Sequence, residues 1–145
     1  MNHPEQTITI YIFGNGNISF EDFKFHYEEV INRCLQNENV TFLLCDFRGT
    51  DTLAMELLKC TSSNVSVYHI GEKPRYLPDK FKTKVGSWKL IGGFENDAQR
   101  DMEVIHECTH FIAVDFNSDE KRISGTQKNI ELCEKLGKIR LTNEI

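Results

Sequence analysis

At 145 residues, with 39% hydrophobic and 27% charged residues but only three prolines and nine glycines, the chain holds enough apolar material for one sizeable core. That composition excludes collagen-like, low-complexity and disordered classes. A formal net charge of −5 opposes a phosphate backbone over most of the surface, which predicts no general nucleic-acid binding. No apolar run reaches the roughly 18 residues of a membrane span, and the start MNHPEQ lacks a secretory pattern, so a single cytoplasmic domain over 1–145 is expected, with no membrane partner.

In chain order, Thr7–Phe13 sets Ile8, Ile10 and Ile12 against Thr7, Thr9 and Tyr11, a β-branched alternation that predicts a strand. From Phe20 to about Gln36 a stripe of Phe20, Phe23, Tyr27, Val30, Ile31, Cys34 and Leu35 predicts a helix, with Ser19 as its N-cap. Val40–Cys45 is a short continuous apolar run, as expected of a parallel strand covered on both faces. Residues 51–60 place Leu53, Ala54, Leu57 and Leu58 on one helical face, and Val65–Ile70 returns to a strand. After Asp97, Ala98, Met102 and Ile105 recur helically, Phe111–Val114 forms another apolar run, and 126–136 carry Ile130, Cys133 and Leu136 before Gly137, a helix-ending glycine. Ile139–Leu141 closes the pattern. The reading is α/β and doubly wound, a five-stranded, mainly parallel sheet with helices on both faces.

Residues 71–96 show little periodicity and carry Lys73, Arg75, Lys80, Lys82, Lys84 and Lys89 in an otherwise acidic chain. Interleaved Tyr76, Phe81 and Trp88 leave three readings open: a mobile lid, a small hairpin, or a solvated connector. The five cysteines (34, 45, 60, 108, 133) are odd in number and form no CxxC, so they read as small buried hydrophobes.

Ligands of open parallel sheets bind beyond the carboxyl ends of the strands. After the first strand, Gly14-Asn15-Gly16-Asn17 runs toward a helix start, where free N–H groups attract anions; a plain tight turn explains the same residues. After the second comes Asp46-Phe47-Arg48-Gly49-Thr50-Asp51. Here Asp46 suits ribose hydroxyls, or Thr50 or Asp51 simply caps the helix. After the fourth come Asp115 and then Ser124-Gly125-Thr126, a phosphate cradle or a capping box with Gln127. Arg100 in the first turn of its helix opposes the macrodipole, which a bound anion would relieve; a pair with Glu103 is the alternative. His106-Glu107-Cys108-Thr109-His110 is a literal HExxH, but a zinc site needs both histidines on one helix, and the run at Phe111 predicts a break between them. No metal and no cofactor are expected.

These strand-end residues resemble the SLOG superfamily of Rossmann-like proteins, which includes DNA-processing proteins, nucleotide phosphoribohydrolases and small ligand-sensing domains. The likeness rests on Arg48-Gly49-Thr50-Asp51-Thr52-Leu53-Ala54, on Arg100-Asp101-Met102, and on Ser124-Gly125-Thr126 through Ile130-Glu131 to Leu136-Gly137-Lys138. It implies a small nucleotide-like ligand, phosphate contact through Gly125, Thr126 and Arg100, and self-association into a homodimer. The hydrolases of the family carry a glutamate where this chain has Asn129. Catalysis would then fall to Asp101, Asp46 or Glu131. The expected function is binding of a nucleotide-derived ligand, as a sensor or weak N-glycosidase. The alternatives are a nucleoside monophosphate phosphoribohydrolase and a non-catalytic interaction module. On this reading, Arg100→Ala removes ligand-dependent stabilisation and leaves the free protein's stability nearly unchanged.

Overall fold

The computed structural model describes residues 7–143. Six parallel strands form one sheet: β1 (Ile8–Ile12), β2 (Val40–Cys45), β3 (Val65–Ile70), β4 (Lys89–Phe94), β5 (His110–Ile112) and β6 (Ile139–Arg140). Their order across the sheet is β4-β3-β2-β1-β5-β6. The chain builds outward from β1 to β4 and then returns to the other side of β1 with β5, so the order reverses between β1 and β5. Helix α1 begins as Phe20–Phe23, passes through a π-helical turn at Lys24–Glu28 and ends as Glu29–Cys34. Then follow α2 (Thr50–Leu58), α3 (Asp97–Glu107) and α4 (Gly125–Lys135). No helix among the described residues is long and apolar enough to cross a membrane.

The alternation in β1 feeds two cores. Ile10 and Ile12 join Phe23, Tyr27 and Ile31 of α1 and Ala54, Met55 and Leu58 of α2 on one face. Tyr11 and Phe13 join Val104 and Ile105 of α3 and Ile130 and Cys133 of α4 on the other. Burial on both faces is what the near-continuous apolar runs of parallel strands provide for. Of the five free cysteines, Cys45, Cys108 and Cys133 are buried, whereas Cys60 is exposed, against expectation.

The five-stranded expectation is short by one strand. The sixth, β4, lies in the aperiodic basic stretch: it is an edge strand, mostly exposed, with Gly92 and Gly93 inside it and an irregular register against β3. Edge exposure and glycine erase the apolar run that would announce it. The residues leading to β4 are neither a lid nor a hairpin, and they are more than a solvated connector. They run back along α2 with Tyr76, Leu77, Val85 and Trp88 packed into the first core. The Trp88 indole N–H donates to the Ser62 carbonyl at 2.8 Å, and the Lys84 N–H to the Lys59 carbonyl at 2.7 Å.

The HExxH string is split. Helix α3 ends at Glu107, Cys108 is extended (φ −74°, ψ 152°), and His110 opens β5. The two histidines therefore sit on different elements.

Candidate functional site

A cleft of about 830 Å³ opens where the strand order reverses, and it is walled by the loop after β1, the start of α2, the first turn of α3 and the start of α4. That volume suits a nucleotide-sized ligand. Of the residues singled out from the sequence, Gly14, Asn15, Gly16, Arg48, Arg100, Asp101, Ser124, Gly125 and Thr126 line it. Asp46, Gly49, Thr50, Asp115 and Glu131 do not.

The glycines of the first loop are required by a second loop pressed against them. A Cβ on Gly14 would stand 2.3 Å from the Tyr27 hydroxyl and 2.5 Å from Thr50 Oγ1, and one on Gly49 would meet Asn15 O and Gly16 Cα at 2.6 Å. Gly49 has φ 78° and ψ −116° and serves as the N-cap of α2. Thr50 seals the junction, donating both its N–H (3.2 Å) and its hydroxyl (3.0 Å) to the Asn15 carbonyl. The tight-turn and loop-packing explanation thus accounts for Gly14, Gly49 and Thr50 without a ligand.

Asp115 is the hub of the opposite wall. It accepts from Asn15 Nδ2 (2.9 Å), the Ser124 hydroxyl (2.6 Å) and the N–H groups of Asn117 (3.2 Å) and Ser118 (3.1 Å). Partial burial pushes its pKa up, but hydrogen bonds from Ser118, Ser124, Asn15 and Asn117 prevail and hold it at about 2. Its oxygens are committed to protein donors, so it shapes the site rather than offering itself to a ligand. Ser124 caps α4 by accepting from the Gln127 N–H at 3.0 Å, one half of the capping-box reading; the other half is replaced, since the Ser124 N–H donates to the Ser118 hydroxyl at 2.9 Å. Asn15 Nδ2 also reaches Thr126 Oγ1 at 3.3 Å, tying the two walls together.

Arg100 is buried among carboxylates. Its Nη1 lies 2.9 Å from Asp46 and 3.0 Å from Asp97, and its Nη2 lies 3.0 Å from Asp101. Asp46 is further held by Arg75, through the backbone N–H at 2.7 Å and Nη2 at 3.0 Å. Burial alone would raise the Asp46 pKa, yet the Arg75 hydrogen bonds and the charges of Arg75 and Arg100 keep it below the usual carboxylate range. Protein carboxylates thus relieve the macrodipole conflict at Arg100, in place of the Glu103 pair considered from sequence. Asp101 is occupied too, accepting from Arg100 and from Asn129 Nδ2 at 3.1 Å. Glu131 is exposed and off the cleft. Asn129, four residues after Gly125 on the same helical face, points in.

Several cleft residues escape sequence reasoning. Arg48 was foreseen, but Arg122 and Lys128 also line the cleft, and among the described residues none of the three forms an ion pair. The i+3 spacing of Lys128 from Gly125 was the available signal. Asp51, read as a possible cap, lies buried at the cleft floor and accepts from the Phe47 N–H at 3.0 Å. Burial lifts its pKa to about 7, assisted by Asp101 and Asp46 and opposed by the Phe47 N–H and Arg100. The folded state therefore binds a proton that the unfolded chain releases near pH 4, so the contribution of Asp51 to stability falls as pH rises from there to about 7 and is flat beyond. Asp51→Asn keeps an acceptor for the Phe47 N–H. It is expected to stabilise the protein at pH 8 and flatten the melting temperature between pH 5 and 7; an unchanged slope would refute the assignment.

No protein-family model matches the chain, and no curated protein matches it. Among solved structures it superposes on DNA processing protein A from Helicobacter pylori with a TM-score of 0.61 at 15% identity, over 92% of this chain and 64% of that one. The chain thus spans under two thirds of its neighbour's length. That structure describes a single-stranded DNA binding mode, which corrects the exclusion of nucleic acid drawn from net charge. A whole-chain sum says nothing of where the cations stand, and local fields decide what binds. What is shared is the architecture: a parallel α/β sheet flanked by helices, consistent with a Rossmann-like fold and carried by DNA processing protein A.

Proposed function

We infer that the cleft at the β1/β5 reversal binds a phosphorylated nucleotide unit. The observation that carries this is the convergence of three cations that form no ion pair among the described residues, Arg48, Arg122 and Lys128, with the Gly14–Asn17 loop and the start of α4 on one nucleotide-sized cleft. A phosphoryl group at Gly125 would meet the helix N-terminal N–H groups, and beyond its chain neighbours and its own helix backbone nothing lies within 4 Å of where a Cβ of Gly125 would stand. The SLOG resemblance and the DNA-binding neighbour support the same class of ligand. In a thermal-shift titration, nucleoside mono- and diphosphates at millimolar concentration should raise the melting temperature, and the unphosphorylated nucleoside should not. An Arg122→Ala/Lys128→Ala double variant should lose that stabilisation while melting like the wild type without ligand. If no nucleotide shifts the wild type, the reading fails.

A hydrolytic reading has one specific support, the protonatable Asp51 carboxyl at the cleft floor with its pKa near neutrality. Asp46 and Asp101 are tied up in the arginine cluster, and Asn129 stands where the hydrolases carry glutamate. Release of free base from a nucleoside monophosphate, abolished in Asp51→Asn, would put this reading ahead of binding alone.

A further inference from the structure

The crossover between β3 and β4 carries a surface that the cleft does not use. No residue between 71 and 96 lines the cleft. At its far turn Phe81 is 75% exposed, the most exposed of the large hydrophobic residues described. The turn is built rather than loose. Asp79 Oδ1 accepts from the Phe81 N–H at 2.7 Å, the Thr83 hydroxyl donates to the Asp79 carbonyl at 2.8 Å, and the Thr83 N–H donates to the Lys80 carbonyl at 3.2 Å. Lys82 sits at φ 57° and is the one non-glycine described with positive φ, a conformation that a lysine adopts only at a cost. The result is an aromatic ring held outward with Lys82 Nζ over it, 5.3 Å from the centroid. Lys80 and Lys84 flank it. Among the described residues none of these three lysines forms an ion pair. The one acid of the turn, Asp79, is engaged with the backbone.

We propose that this turn is a docking surface for single-stranded nucleic acid, with Phe81 stacking on a base and Lys80, Lys82 and Lys84 meeting phosphates. Lysines make point-charge contacts that tolerate a flexible backbone, and an exposed ring among them is the arrangement that binds single strands without reading sequence. Lysine is depleted in protein–protein interfaces, which weighs against an acidic protein as the partner. The surface is independent of the cleft, and the two readings stand or fall separately.

Fluorescence anisotropy of a labelled oligothymidylate of about 20 nucleotides tests this. Three phosphate contacts predict a log–log salt slope of about −2 for a single strand, roughly a sixteenfold loss of affinity per fourfold rise in salt. Phe81→Ala should weaken binding on the order of tenfold. A Lys80→Glu/Lys82→Glu/Lys84→Glu variant should remove binding altogether. All four residues are exposed at a turn, so both variants should keep the wild-type melting temperature and the mononucleotide response. The proposal is overturned if the oligonucleotide does not bind, if Phe81→Ala binds it as well as the wild type, or if polyglutamate competes as effectively as unlabelled oligonucleotide. Loss of oligonucleotide in the Arg122→Ala/Lys128→Ala variant with retention in Phe81→Ala would place the strand in the cleft, overturning this surface and leaving the cleft reading intact.

Discussion

Replacing Arg100 by alanine is expected to destabilise the unliganded protein by about 3 kcal/mol or more, lowering the melting temperature by roughly 10 °C. Arg100 is 3% exposed, and its guanidinium stands against Asp46, Asp97 and Asp101. Removing it leaves three carboxylates facing one another, with Arg75 the remaining cation at Asp46. Breaking a buried pair from one side costs more than the pair contributes, because the orphaned charge stays desolvated. This reverses the sequence-derived expectation of near-unchanged stability: Asp97 and Asp101 stand beside Arg100 in the sequence, but the fully buried partner, Asp46, is brought to it only by the sheet. Arg100→Lys should recover part of the loss, since an ammonium supplies the charge but cannot fork toward three acceptors. Urea unfolding at pH 7 is the measurement. A loss below about 1 kcal/mol would show that the cluster is solvated and that Arg100 is available to an anion after all.

Gly49→Ala is expected to be at least as damaging. Its backbone lies in the mirror-β region, closed to L-residues, and its missing Cβ is the space occupied by Asn15 O and Gly16 Cα at 2.6 Å. Neither neighbour is the end of a flexible side chain, so one of the two loops must withdraw. A loss of about 3 kcal/mol or more is anticipated from strain and clash together, and the Gly14–Asn17 wall of the cleft should move with it. Gly125→Ala is the control. An added methyl there meets nothing within 4 Å beyond its chain neighbours and its own helix backbone, and stability should stay within about 0.5 kcal/mol of wild type. Urea midpoints for the pair, read side by side, check the contrast. Equal effects would mean that the two loops do not touch.

Much of the fold was legible because parallel strands covered on both faces must be apolar almost throughout. Val40–Cys45 and Val65–Ile70 announced themselves, and Ile8, Ile10 and Ile12 marked one face of the central strand. The strand at Lys89–Phe94 was hidden because an edge strand with two glycines buries little and need not look like one. At the site, the sequence could name the residues that follow each strand, since strand ends are local. It could not assign roles there. Asp46 and Arg100 lie 54 residues apart and become partners only through the sheet. Asp51 resembled a cap, and only tertiary burial turns it into a carboxyl poised near neutral pH. Arg75, counted among surface cations, proves to be the clamp on Asp46.

The docking of Trp88 has a practical corollary. The chain has one tryptophan, and its indole is buried against the Ser62 carbonyl on the flank of the sheet, away from the cleft. Excited apart from the four tyrosines, the indole is therefore a gauge of the crossover peeling from the flank of the sheet. Filling the cleft should leave the indole emission where it is, so a shift in that emission marks detachment of the sheet's outer margin.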